Sequence, residues 1–360
     1  RAEIVHNNFL TRVQDGNLPA SMGLSPADAG LSSEQTVEIF ESQILSRLLD
    51  NHSRKLQARA EGFYTIGSSG HEGNAAISAA FRHTDMAFLH YRDAAFFIQR
   101  SKKLPGQSPL WDMLLSFTTS SEEPISGGRH KVLGSKELFI PPQTSTIASH
   151  LPKAVGAAYS IGLNKKLGRA GALPPDAVII CSFGDASLNH STAQGAINTA
   201  SWTAYQNVPL PLVWVCEDNG IGISTPTPQG WVHASMANKP AIKYFYCNGL
   251  DIIDTHRIAR EVEEYTRKTR KPAFLHMGCV RLFGHAGPDA QHMYLSAAQI
   301  ETMEAHDPLL YSARILIENN ILSAAQILDL YNETDARVTR VAEQAIKRPK
   351  LKTAADVMAS

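Results

Sequence analysis

Cysteine is scarce in this sequence: four residues in 360, Cys181, Cys216, Cys247 and Cys279. None forms a CxxC pair or stands in a Cys/His cluster, which argues against a zinc site. Each lies in or beside an apolar run, so buried free thiols in a reducing compartment are expected. An excess of either charge is also missing. The 34 basic side chains balance 34 acidic ones, a balance that speaks against a nucleic-acid surface or a polybasic membrane patch. No apolar run approaches membrane-spanning length; the longest are strand-sized. No G-x-G-x-x-G follows an early strand and no G-x-x-x-x-G-K-[ST] occurs, so neither a dinucleotide fold nor a P-loop is supported. There is no internal repeat. The chain opens at Arg1 without a signal-peptide pattern, and an initial segment is expected to have been lost.

What is present is ordinary globular composition, 43% hydrophobic and 19% charged, enough for one large domain or two small ones. Residues 1–31, rich in Gly, Pro, Ser and Asn, read as an arm laid over the surface. Ser32 and Gln35 fit a capping box, after which Val37, Phe40, Ile44 and Leu48 follow helical spacing. A second helix is expected near Glu72, beyond the turn Gly67-Ser-Ser-Gly70, and Met86 to Tyr91 suits a buried strand. Residues 120–146 are polar and glycine-rich without a period, which in a compact protein marks a functional loop or a disordered one. A helix resumes at Ile147, with Pro152 tolerated in its first turns.

From there strands and helices alternate: strands over 177–183, 210–217, within 244–253 and over 273–282, helices over 187–205 and 256–270. Near-continuous apolar strands between helices imply an α/β fold, a parallel sheet with helices on both faces. Residues 32–295 are read as that α/β domain and 296–360 as a C-terminal helical segment, amphipathic to about Ile346.

In such a sheet, ligands bind at the carboxyl ends of the strands. Two ends carry suggestive groups: Gly184-Asp185-Ala186, and Glu217-Asp-Asn-Gly220 followed by Ile-Gly-Ile-Ser224. If the two strands are neighbours, Asp185 and Asn219 can face one cation. Magnesium takes hard oxygen ligands and borrows others from a phosphate, and a helix opening after Asp185 would turn free amides and the positive end of its dipole towards that phosphate. Spacing alone equally allows Asp185 as a helix cap and Asn219-Gly220 as a tight turn.

Several stretches in order carry a family resemblance: His90-Tyr-Arg-Asp93, Ser149-His-Leu-Pro-Lys-Ala-Val-Gly-Ala-Ala158, the Gly184-Asp185 stretch, Glu217-Asp-Asn-Gly-Ile-Gly-Ile-Ser-Thr-Pro226 and Gly284-His285. From about Gly67 to about Pro308 the chain resembles the alpha subunit, or alpha half, of the thiamine-diphosphate-dependent decarboxylating component of 2-oxoacid dehydrogenase complexes, and leans to the branched-chain type. The resemblance implies the diphosphate-side thiamine-binding fold, with thiamine diphosphate and Mg2+ as cofactors. By it, Asp185, Asn219 and the carbonyl of Ile221 are the metal ligands, and Tyr91 and Arg92 reach the diphosphate together with Gly184, Ala186 and Ser187. His285 is the catalytic histidine beside the reacting centre, and Ser145 and Ile147 line the aminopyrimidine and thiazolium. His71, His90, His130, His150 and His190 are expected to be structural or solvent-exposed, although the family keeps a substrate-side histidine in the loop that holds His130.

The implied partners are a beta subunit or half that completes the site, a lipoyl-bearing acyltransferase and a small 2-oxoacid; the compartment is a bacterial cytoplasm, or alternatively the mitochondrial matrix. An acetoin-type thiamine-dependent dehydrogenase and a non-catalytic partner retaining the fold are the rival readings. Three departures stand out: Ala186 and Asp218, where the family has glycine and asparagine, and a probable insertion at 206–211. The segment after His285, Ala-Gly-Pro-Asp-Ala-Gln, also differs from the serine-rich loop that kinases modify in mitochondrial relatives, so phosphoregulation of that type is not expected.

Overall fold

Alternate residues of each central strand enter different cores. The computed structural model describes residues 1–359. Its first half holds α1 (Ala2–Gln14), α2 (Ser33–Ala58), α3 (Asn74–Ala80), β1 (Ala87–Phe88), α4 (Ala94–Ser101), α5 (Pro109–Phe117) and α6 (His150–Lys166). Next come β2 (Ile179–Gly184), α7 (Ser191–Tyr205), β3 (Leu212–Asp218), the small hairpin β4 (Ile221–Gly222) and β5 (Thr225–Pro226), and α8 (Trp231–Met236). The remainder is β6 (Lys243–Asn248), α9 (Ile252–Thr269), β7 (Ala273–Gly278), α10 (Ala297–Ala305), α11 (Pro308–Glu318), α12 (Ala324–Ala345) and α13 (Ala354–Met358).

Five strands form one sheet in the order β1-β2-β3-β7-β6, every neighbouring pair parallel. Val178, Ile180, Val213, Val215, Leu275 and Met277 pack into a core shared with α2, α4, α5, α9, α11 and α12. Ile179, Cys181, Phe183, Leu212, Trp214 and Cys216 face the other way, onto α6, α7 and α8. The pleat sends successive side chains to opposite faces, and both faces are covered, so the runs are apolar throughout rather than alternating. In α7, Ala193, Ala196, Ala200 and Ala204 are the buried face. The four cysteines are free; all but the half-buried Cys279 are buried.

The start of the chain is not simply a surface arm. It begins with α1, whose Val5, Phe9 and Val13 are buried at a spacing of four residues, one face of a helix; Phe9 packs against Tyr331 with ring centroids 4.7 Å apart. The Gly, Pro and Ser that give the region its loop-like composition lie after this helix. Three boundaries also move. A 3-10 turn (Asp185–Asn189) follows β2, and α7 opens only at Ser191, where His190 caps it; the amides beside Asp185 therefore belong to the turn, not to an α-helix. Helix α9 starts before His256 because Asp251 accepts from the amides of Ile253 and Asp254, a strong N-cap. The C-terminal helical segment 296–360 is, over its described residues, four helices, α10 to α13, divided where Asp307, Ser323 and Thr353 cap α11, α12 and α13. Among the described residues, no helix is long and apolar enough to cross a membrane.

Candidate active site

Strands β2 and β3 are direct neighbours, with Gly184 in register with Glu217, so the loops that leave them start side by side. Asp185 stands first after β2 and is 1% exposed. Its carboxylate accepts from the Thr227 hydroxyl. Burial pushes its pKa up against that hydrogen bond, and among the described residues no basic side chain pairs with it. On the next loop, the Asn219 Oδ1 accepts from the Ile221 amide at 3.1 Å, and its Nδ2 donates to His71 Nε2 at 2.9 Å.

The opposite wall is basic. Arg92, 3% exposed, donates from Nη1 to the Gly67 carbonyl at 2.5 Å and from Nη2 to His285 Nδ1 at 3.1 Å. A ring nitrogen that accepts from a guanidinium carries no proton, so His285 is the Nε2–H tautomer; burial, then Arg92, brings its pKa down to about 4. The Tyr91 ring lies under the Arg92 guanidinium at 5.1 Å and meets the His285 ring edge-on at 6.0 Å. Arg281, 1% exposed, donates to the Ile223 carbonyl at 2.8 Å and the Tyr294 hydroxyl at 2.7 Å, which ties the β4–β5 hairpin to the loop after β7.

One cleft is lined by nine of the residues singled out from sequence: Tyr91, Arg92, Gly184, Asp185, Ala186, Ser187, Asn219, Ile221 and His285. Ser145 and Ile147 are exposed and lie outside that lining. His90, Gly222, Ile223 and Arg281 line it as well and were not assigned to it from sequence. For Arg281 the available signal was a basic residue just past a strand end, four positions before His285. His90 is 5% exposed, its Nε2 has no hydrogen-bond partner, and it faces Gly184. Of the other histidines, His71 is fully buried, His150 Nε2 donates to the Ser182 carbonyl at 2.7 Å, His190 caps α7 and His130 meets the Tyr64 ring edge-on at 5.8 Å.

The departures have local explanations. A Cβ built on Gly222 would stand 2.4 Å from the Ala186 Cβ, so the extra methyl at 186 occupies space that a glycine at 222 leaves free. The carboxylate of Asp218 accepts from His276 Nε2 at 2.8 Å and from the Gly220 amide at 3.0 Å, so the added carboxylate is hydrogen-bonded on both sides. The probable insertion at 206–211 forms the α7–β3 connection.

The donor set fits a magnesium diphosphate. A carboxylate, an amide oxygen and a backbone carbonyl are hard ligands of the kind magnesium takes. Among the described residues, Asp185 is buried without a counter-ion, and Arg281 Nε and His90 Nε2 have no hydrogen-bond partner, polar atoms of the kind that a ligand or water satisfies. A second grouping, His71, His90 and Glu217, brings its potential ligand atoms within 4.8 Å of one another. It is already joined by hydrogen bonds, His71 Nδ1 to Glu217 Oε2 at 2.6 Å and His90 Nδ1 to the same oxygen at 3.3 Å.

The model of the dehydrogenase E1 component family matches residues 41–354. The chain is similar to 2-oxoisovalerate dehydrogenase subunit alpha of Bacillus subtilis, 25% identical over 329 residues, which are 89% of this chain and 93% of that protein. It is also similar to the mitochondrial 2-oxoisovalerate dehydrogenase subunit alpha of Homo sapiens, 23% identical over 330 residues, 90% of this chain and 69% of that one. The mitochondrial subunit alpha 2 of Arabidopsis thaliana is 26% identical over 297 residues, 81% of this chain and 58% of its own length. With a family match that spans most of its length, the chain belongs to the dehydrogenase E1 component family.

Proposed function

We propose that this chain is the diphosphate-binding alpha part of a 2-oxoacid dehydrogenase that depends on thiamine diphosphate and Mg2+ and acts on a branched-chain 2-oxoacid. The observation that carries the reading is the convergence of Asp185, Asn219 and Ile221 with Tyr91, Arg92 and His285 on one cleft at the carboxyl ends of β2 and β3. The Asp185 carboxylate, the Asn219 amide oxygen and the Ile221 carbonyl hold Mg2+. Arg92, with its planar fork of donors, and the free Nε–H of Arg281 neutralise the diphosphate. When bound, thiamine diphosphate supplies the nucleophilic carbon and the electron sink that loss of carbon dioxide requires. His285, neutral at physiological pH and fixed as the Nε2–H tautomer by Arg92, donates a hydrogen bond to negative charge that develops at the reacting centre.

Branched-chain preference is supported by the Ser224-Thr-Pro-Thr227 run and by relatives that bear the name 2-oxoisovalerate dehydrogenase. In the same reading a beta subunit or half completes the site, and the acyl group passes to a lipoyl arm on an acyltransferase. The test is 2-oxoacid-dependent reduction of an artificial electron acceptor by the assembled enzyme, with and without thiamine diphosphate and magnesium. The panel holds pyruvate, 2-oxoglutarate, three branched-chain 2-oxoacids and acetoin. Cofactor-dependent turnover with a branched-chain acid as the best substrate is expected. Silence on every 2-oxoacid, from an enzyme shown to be loaded with cofactor, overturns the reading.

A further inference from the structure

His71 takes no part in the assignments above, yet it touches one of them. It is fully buried at the end of the Gly67–Gly70 turn. The direction of its hydrogen bonds follows from a group that has no choice. The backbone amide of Ile221 can only donate, and it points at Asn219 Oδ1 from 3.1 Å. The other end of the Asn219 amide, 2.9 Å from His71 Nε2, is therefore Nδ2, a donor. His71 Nε2 must accept, which places the imidazole proton on Nδ1, 2.6 Å from the Glu217 carboxylate. Glu217 is itself fully buried, at the end of β3. The order Asn219 to His71 to Glu217 is thus a one-way chain of donors, in which each acceptor holds the donor before it.

The consequence falls on Asn219. An amide oxygen has two lone pairs; one is taken by the Ile221 amide and the other is left for a cation. In the reverse order, with His71 donating from Nε2, Asn219 Oδ1 would turn towards the histidine. An NH2 group would then face both the Ile221 amide and the metal, two contacts that repel.

We propose that His71, oriented by Glu217, is a positioning residue that keeps the oxygen end of the Asn219 side chain turned towards the Mg2+ site. The inference rests on the magnesium diphosphate reading and deepens it. Hydrogen-bond partners one step behind metal ligands typically govern about 10–100-fold in metal affinity, and an effect of that size is expected here.

The test measures metal binding rather than turnover. Mn2+, which shares magnesium's preference for oxygen ligands, is titrated into the assembled enzyme saturated with thiamine diphosphate, and free Mn2+ is followed by electron paramagnetic resonance. His71→Leu, which cannot accept from Asn219, is expected to raise the Mn2+ Kd by about 10–100-fold. His71→Gln, whose amide oxygen can accept from Nδ2, is expected to stay within about 3-fold of the parent protein on the same scale. If His71→Leu does not fold, His71→Asn, too short to reach Asn219, replaces it in the comparison with His71→Gln. An unchanged Kd in the leucine (or asparagine) variant, or equal weakening in that variant and His71→Gln, overturns the inference and leaves the cofactor reading standing. Absence of Mn2+ binding in the parent enzyme, or unimpaired binding in Asp185→Ala, overturns both.

Discussion

At the scale of single residues, Ala186 and Gly222 form a matched pair: the methyl of one lies where a Cβ on the other would stand, at 2.4 Å. Gly222→Ala should therefore force the two loops of the cleft apart. We expect a loss of about 1–3 kcal/mol, the usual cost of overpacking, with weaker thiamine diphosphate binding. Ala186→Gly in the same chain should restore most of both. Denaturant midpoints and cofactor titrations on the two single variants and the double variant check this; additive losses would show that the residues do not share the space. His150 makes a second residue-scale prediction. Burial brings its pKa from 6.5 down to about 4, partly offset by its hydrogen bond to Ser182. The folded state then binds fewer protons than the unfolded state between those values, so stability falls as pH drops from about 6.5 to about 4, by at most roughly 1.4 kcal/mol per pH unit from this group. His150→Gln should flatten the stability–pH curve in that window and leave it unchanged near pH 8, which urea unfolding at a series of pH values would reveal. The residues brought into the cleft were legible wherever they sit at strand ends in short motifs, as Asp185 and Asn219 do. The Asn219–His71–Glu217 chain was not, because it joins side chains nearly 150 positions apart through hydrogen-bond directions that no local spacing encodes.

Among elements, the short turn Gly67-Ser-Ser-Gly70 is held from several sides. Asp50 in α2 accepts from the amides of Ser68 at 2.5 Å and Ser69 at 2.7 Å. Gly70 adopts φ +99° where a Cβ would stand 2.1 Å from the Val280 carbonyl, so only glycine fits. Its amide donates to Glu72, which pairs with Arg47 at 2.7 Å, and Arg47 in turn holds Asp307, the cap of α11, at 2.7 Å and 2.9 Å. The Gly67 carbonyl at the start of this turn accepts from Arg92. Arg47→Met should leave two buried carboxyl groups without their cation and cost about 3–5 kcal/mol, measurable as a shift of the urea midpoint; a loss below about 1 kcal/mol would mean that the network contributes little. Helices with local signals were readable before the structure: the capping box of Ser32 and Gln35 opens α2 as expected. The buried face of α1 was masked by the loop-like residues that follow it, and the delayed start of α7 by a 3-10 turn that obeys no helical period.

Over the whole molecule, the irregular segment 120–146 is fastened by residues more than two hundred positions away. Arg129 donates to the carbonyls of Asp356, Val357 and Ala359, each at 2.8 Å. Arg348 makes two 2.6 Å bonds to Glu122, and Ser120 and Ser121 bond the Pro349 carbonyl at 3.0 Å and 3.2 Å. A chain shortened after Arg348 should keep the parallel sheet, which draws nothing from these residues. It should open the 120–131 stretch to proteases and to hydrogen exchange by about tenfold or more, since local opening follows the loss of local bonds. Arg129→Ala should show a smaller change confined to 126–131, and unchanged exchange in both variants would dismiss the fastening. Sequence patterns could mark this segment as a functional or a disordered loop, but not show its clamp, because the partners share no motif and meet only in the folded chain. During synthesis the consequence is one of timing: the strands and both cleft loops leave the ribosome before residues 348–359 do, so the loop over 120–131 has nothing to fasten to until those residues have emerged.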